Sequence, residues 1–175
     1  TLFSLPLFTV IMGGVELGYR IMMLSRLDGA VKTAARMATT GQFTGTQIDA
    51  YVTTVTDSIP GSSVEIHKRA YDTFGAVGKP EPITADTAPV GQYNVGDCYE
   101  DRNRNGVWDN GDSSGYAGLG NADDIIRYSA TISYPTLFPF LVKMAGFDST
   151  AKITSTTVMQ NEPYASSSAA SPPIK

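Results

Sequence analysis

The chain has 175 residues, with 13 basic and 17 acidic side chains, one histidine and one cysteine. That length suits one domain with a real core, the net charge of −4 argues against a nucleic-acid face, and a lone Cys98 excludes an internal disulfide. The charge is unevenly placed: residues 1–40 are net basic, the remainder net acidic, and residues 97–124 hold seven acids against Arg102 and Arg104, a local excess that suits a cation.

Residues 1–15 carry no charge, Glu16 interrupts, and Leu17 to Leu24 resume the apolar run with only Arg20 charged. Residues 1–24 are long enough to cross a hydrocarbon core of about 30 Å, and membrane helices tolerate Pro6 and the pair Gly13-Gly14 better than soluble ones do. A carboxylate within such a helix is costly and calls for a partner. For Glu16 that partner is either Arg20 four residues on or a group on another subunit, which makes Glu16 and Arg20 the candidate assembly residues. No basic leader precedes the run and no small-residue cleavage site ends it, which argues against a secretory signal.

The helix is predicted to continue. Leu24, Leu27, Val31, Ala34, Ala35 and Ala38 keep a three-to-four spacing on one face, and Thr39, Thr40 and Gly41 form the stop, with Gly41 as a left-handed cap. A helix over residues 2–39 is about 57 Å long at 1.5 Å per residue, apolar all round in its first half and amphipathic in its second. The predicted organisation is therefore a long helix over 1–40 with 1–24 as its membrane-spanning part, a globular domain over 41–164, and a low-complexity, mobile tail over 165–175.

A second helix is predicted over 46–58 from the stripe Ile48, Tyr51, Val52, Val55 and Ile59, with Thr46 as N-cap and Pro60-Gly61 as its end. Residues 63–74 alternate as a strand. Residues 75–122 read as an unusually long insert, which commonly signals function or order imposed by an ion. Strands are expected over 125–134 and 151–162, with a short apolar helical turn over 137–145 between them. The fold class is α+β: a small antiparallel sheet packed on the amphipathic part of the long helix.

Within the insert, Asp101-Arg102-Asn103-Arg104-Asn105-Gly106-Val107-Trp108-Asp109-Asn110-Gly111-Asp112 has the spacing of a twelve-residue calcium loop of EF-hand type. Calcium takes six to eight oxygens. Asp101, Asn103, Asn105, the Val107 carbonyl, Asp109 and Asp112 are the candidate metal ligands, with Gly106 at the sharp turn. Asp112 stands where Glu is usual, and its shorter stem predicts weak affinity. The competing reading is a surface loop of Asx turns. Trp108 is expected to pack back on the domain.

Catalytic chemistry is not expected. His67 is a lone imidazole on a predicted strand, without a partner motif. Gly115, Gly118 and Gly120 precede a strand rather than open a helix, so they fail the context of a phosphate loop.

Several of these stretches together resemble the TadE-like minor pilins, or pseudopilins, of the tight-adherence pilus system. They are Leu5-Pro6-Leu7-Phe8 through Glu16-Leu17-Gly18; Ala34-Ala35-Arg36; Gly78-Lys79-Pro80-Glu81-Pro82; Gly118-Leu119-Gly120; Tyr134-Pro135; Phe138-Pro139; and Asn161-Glu162-Pro163-Tyr164. The resemblance implies a pilin-like fold and a non-catalytic structural subunit that supports assembly of an adhesive type IV-like pilus. It implies other pilin subunits and the membrane as partners, with no nucleic acid or small-molecule substrate, and a place in the bacterial inner membrane, the periplasm or a surface pilus. The leader and cleavage site of the family are not among these residues. Arg20, Arg26, Lys32 and Arg36 would put their side in the cytoplasm by the positive-inside rule, whereas the resemblance puts it outside. The alternative function is a membrane-anchored, calcium-dependent surface adhesin.

Overall fold

A computed structural model describes residues 4–163; the tail expected over 165–175 lies outside the described residues, as do Tyr164 and the first three positions. In chain order the elements are α1 (Ser4–Thr39), α2 (Gly45–Thr56), β1 (Ser63–Tyr71), β2 (Ile83–Ala85), β3 (Cys98–Tyr99), β4 (Tyr116–Ala117), β5 (Ile125–Pro135), α3 (Pro139–Met144) and β6 (Thr150–Gln160). The class is α+β: one long N-terminal apolar helix and a small antiparallel sheet of order β4-β1-β5-β6, with β2 and β3 forming a separate ribbon. The chain divides into two compact units, and α1, β1, β5 and β6 each contribute a part to both.

The first unit comprises residues 1–34, 46–67 and 129–157. Its part of α1 buries Met23, Leu27, Ala30, Val31 and Ala34, the three-to-four spacing that aligns side chains on one helical face. Here α2 buries Ile48, Val52 and Thr56, where the Thr56 hydroxyl returns to the Val52 carbonyl at 3.1 Å and is thereby satisfied. On β5, Ala130, Ile132 and Tyr134 are buried while Ser129, Thr131 and Ser133 alternate with them, as the two-residue period of a half-buried strand requires. The polar set carries a ladder to β6: Ser129 with Thr156 at 2.9 Å and Thr131 with Thr154 at 2.8 Å. Those pairs step in opposite directions along the two strands, which makes β5 and β6 antiparallel. The sheet thus has one apolar face and one wet face lined with hydroxyls.

The second unit comprises residues 35–45, 68–128 and 158–175. It begins with the end of α1, where Ala35 and Ala38 are buried. Gly41 closes the helix with φ +64° and its N–H on the Ala38 carbonyl at 3.2 Å, the left-handed stop expected from the residue type. Arg69 and Ala70 pair with Ala117 and Tyr116 across β1 and β4, antiparallel. Tyr71, Ala76 and Ile125 form a small core. Gly120 is required where it stands: at φ +66° a Cβ there would meet the Ala70 Cβ at 2.6 Å. The strand predicted to run to residue 74 stops at Tyr71, because a single turn of 3-10 helix over Phe74–Ala76 takes the chain out of the sheet. The long insert has little regular structure; its order comes from side-chain carboxylates that collect backbone N–H groups.

Candidate assembly face and candidate cation loop

The assembly face is built on α1. Among the described residues one helix, Pro6–Thr39, is long and apolar enough to cross a membrane, with mean hydropathy 1.4 over its best window and 6% of that window buried. Two arcs share it. The inward arc already meets the first unit at Met12, Glu16 and Tyr19, before the buried stripe from Met23 onward. Tyr19 packs edge-on against Tyr134 with ring centroids 5.7 Å apart. Further on, Asp28 accepts from the Ser155 hydroxyl at 3.1 Å. The outward arc from Leu7 to Leu24 bears Leu7, Val10, Ile11, Leu17, Ile21 and Leu24, all exposed, and no polar side chain. Past Leu24 the same arc changes abruptly to Ser25, Arg26, Lys32 and Arg36, with Lys32 reaching Asp28 at 2.7 Å.

Glu16 finds its partner within the chain. Its Oε2 accepts the backbone N–H groups of Leu137 and Phe138 at 2.9 and 3.2 Å. Neither of the two partners weighed from the sequence foresaw this, because nothing in the local sequence couples positions 16 and 137. Arg20 is exposed and lines a groove with Glu16, Tyr134, Phe147, Asp148 and Lys152. The Tyr134 hydroxyl is buried without a hydrogen-bond partner, and burial pushes its pKa up. The spacing Gly14-x-x-x-Gly18 is itself visible in the sequence: both glycines sit in the outward arc with nothing within 4 Å of an added Cβ. Such small-residue pairs let two apolar helices approach closely.

The cation loop lies in the second unit. Asp101 accepts from the N–H groups of Asn105 and Gly106 at 3.1 and 2.8 Å, and Gly106 makes the expected turn at φ +79°. Asp109 Oδ2 receives the side-chain amides of Asn103 and Asn105 at 2.5 and 2.6 Å. These four of the six sequence-predicted ligands share one cluster, and their oxygens are of the hard kind that calcium takes. Val107 is exposed and donates its N–H to Asn105 Oδ1 at 2.7 Å. Asp112 is engaged elsewhere, in an ion pair with Arg127 on β5 that holds the guanidinium pKa up. Among the described residues, no three His, Cys, Asp or Glu side chains form a metal-ligating group. Here the Asn103 and Asn105 side-chain oxygens accept backbone N–H groups and their amides turn to Asp109, so the cluster satisfies itself as a set of Asx turns, with Asp112 outside it.

Glu81 organises this loop and was not singled out from the sequence. It is 1% exposed. Its Oε1 accepts from the Arg102 N–H at 2.8 Å and its Oε2 from the Asp109 N–H at 3.0 Å, so one carboxylate clamps both sides of the loop. Its main-chain carbonyl accepts from Trp108 Nε1 at 2.9 Å. Trp108 stacks on Tyr93 at 4.8 Å, the inward packing expected of it. Asp97 does similar work nearby, accepting from the Thr87 hydroxyl and N–H at 2.6 and 2.7 Å and from the Asn94 N–H at 2.7 Å. Those donors, Thr87 foremost, hold the Asp97 pKa below its ordinary value. His67 is exposed on β1, with Glu65 at 3.1 Å. Cys98 is an exposed thiol.

No family model, curated protein or solved structure matches this chain.

Proposed function

We propose that this protein is a structural subunit of minor-pilin type, anchored in the bacterial inner membrane, that joins other pilin subunits through the outward arc of α1 and supports an adhesive type IV-like pilus. One observation carries the reading. At the level of Glu16 to Arg20 the two sides of α1 differ: Asp148, Thr150 and Lys152 are exposed in a groove with Glu16, Leu17 and Arg20, while Gly18, Ile21 and Met22 are exposed on the outward arc. Lipid would surround both sides, whereas a neighbouring apolar helix covers only one. The Gly14 and Gly18 pair gives such a helix its closest approach.

The test is made in cells that carry the whole system. Gly14→Ile with Gly18→Ile leaves the inward arc untouched, so the chain should remain in the membrane fraction but disappear from filaments sheared off the cells. Incorporation at the wild-type level would overturn the assembly reading.

A second reading, a membrane-anchored calcium-dependent adhesin, draws on the convergence of Asp101, Asn103, Asn105 and Asp109. It requires calcium-dependent binding of a surface by cells in which the Gly14→Ile, Gly18→Ile chain has left the filaments. The subunit reading requires that binding to be lost with the filaments.

A further inference from the structure

Between β5 and β6 the chain makes a closed arm. Thr136 and Ser149 tie its neck, N–H to carbonyl at 2.9 Å. The α3 helix ends at Gly146, whose φ of +82° and N–H on the Lys143 carbonyl at 3.0 Å stop it. Phe147 then returns its N–H to Val142 at 3.0 Å. Glu16 fastens the start of the arm to α1. An arm with this much internal order nonetheless exposes Phe140 at 74%, Met144 at 69% and Phe147 at 71%. Phe140 and Met144 lie four residues apart on one face of α3, and Phe147 follows directly after the Gly146 stop. Lys143 is the only charge from Thr136 to Phe147.

We infer that this arm is a second membrane-contacting element, which lays Phe140, Met144 and Phe147 into the headgroup–acyl boundary of the bilayer that α1 enters. The inference rests on the reading of α1 as a membrane helix. The reason for lipid rather than protein is the gradient of polarity along α1. Pro139, Phe140 and Leu141 line an open groove of about 530 Å3 with Phe8, Thr9 and Met12, where every large side chain is apolar. One step further along α1, Val142 and Phe147 share a groove with Arg20, Asp148 and Lys152. The change from hydrocarbon-like to charged surroundings falls within the arm itself, as it must for an element lying in the interface. Apolar side chains then enter the acyl region and a basic one reaches back to the phosphates. The exposed apolar surface of the arm is continuous with that of Phe8 on α1, which lines the same groove as Phe140, so a single lipid surface covers both.

The test uses the full chain, reconstituted in vesicles of phosphatidylethanolamine and phosphatidylglycerol with brominated acyl chains. Phe140→Trp and Met144→Trp are made separately in a Trp108→Phe background; both positions are exposed, so neither perturbs the core. Vesicle flotation after alkaline carbonate washing reports insertion of α1 independently of the arm. With insertion confirmed, the introduced indole should emit at shorter wavelength than in the unfolded chain. It should be quenched most by bromine near the headgroup end of the acyl chain. An indole that no bromolipid quenches would overturn the inference while leaving the α1 reading intact. So would energy transfer between two copies with no quenching, which would assign the arm to a protein partner. Failure to float would sink the α1 reading itself.

Discussion

The carboxylate of Glu16 and the backbone N–H of Leu137, 2.9 Å apart, join the middle of the long helix to an arm more than a hundred residues further along the chain. A charge within an apolar helix is expensive unless it is met by donors, and here two donors come from the chain itself. Replacing Glu16 by Ala strips Leu137 and Phe138 of their acceptor at a cost of about 1–3 kcal/mol. Replacing it by Gln keeps a carbonyl oxygen that can accept both. Hydrogen exchange at the amides of Leu137 and Phe138 should accelerate markedly in Glu16→Ala and little in Glu16→Gln. Equal protection in wild type and Glu16→Ala would show that the bond does not hold the arm.

Calcium should act through Asp109 and not through Asp112. In detergent-solubilised full chain, calcium at about a hundred times its dissociation constant should raise stability by about 2.7 kcal/mol. Asp109→Asn should abolish that rise. Asp112→Asn should retain it, with a separate loss of about 1 kcal/mol from the half-exposed ion pair with Arg127. A calorimetric titration in which Asp112→Asn alone fails to bind would put Asp112 back among the ligands. An identical melt of the wild type with calcium and with chelator would leave the loop a set of Asx turns.

Glu81 should matter to folding more than any residue inside the loop. Its buried carboxylate satisfies the Arg102 and Asp109 N–H groups, and Glu81→Ala leaves both without an acceptor. The expected loss is about 2–4 kcal/mol, taking about 1–2 kcal/mol for each orphaned donor. Trp108 emission, the only indole signal, follows the unfolding. A melting shift too small to resolve would contradict the clamp.

The turn around Asp97 should loosen in acid. Its folded pKa lies below the ordinary value of 3.8, so its contribution is fully present above that value and is lost as pH falls through the lower, folded pKa. Thr87→Val removes the hydroxyl donor that contributes most to the shift and should move the Asp97 titration upward, measured on its side-chain carboxyl carbon by NMR. An unchanged midpoint in that variant would assign the depression to the backbone donors instead.

Much of this architecture could be read from the residues, because each prediction rested on a local rule. Helix α1 showed as a long apolar run followed by an Ala-rich stripe, its stop as Gly41, and β5 as the alternation of Ile and Tyr with Ser and Thr. The loop at 101–112 was visible from spacing, since Asp101, Asn103 and Asn105 need only the Gly106 turn to draw together. Tertiary structure alone decided who partners whom across distance. Glu16 meets Leu137, Asp112 meets Arg127 rather than Asp109, and Glu81 closes the loop from outside it. A carboxylate takes whichever donors the packed chain brings within about 3 Å, and no local pattern records that choice. The inward packing of Tyr19 was hidden for a related reason. An all-apolar segment shows no face of its own until a sheet edge covers one side of it.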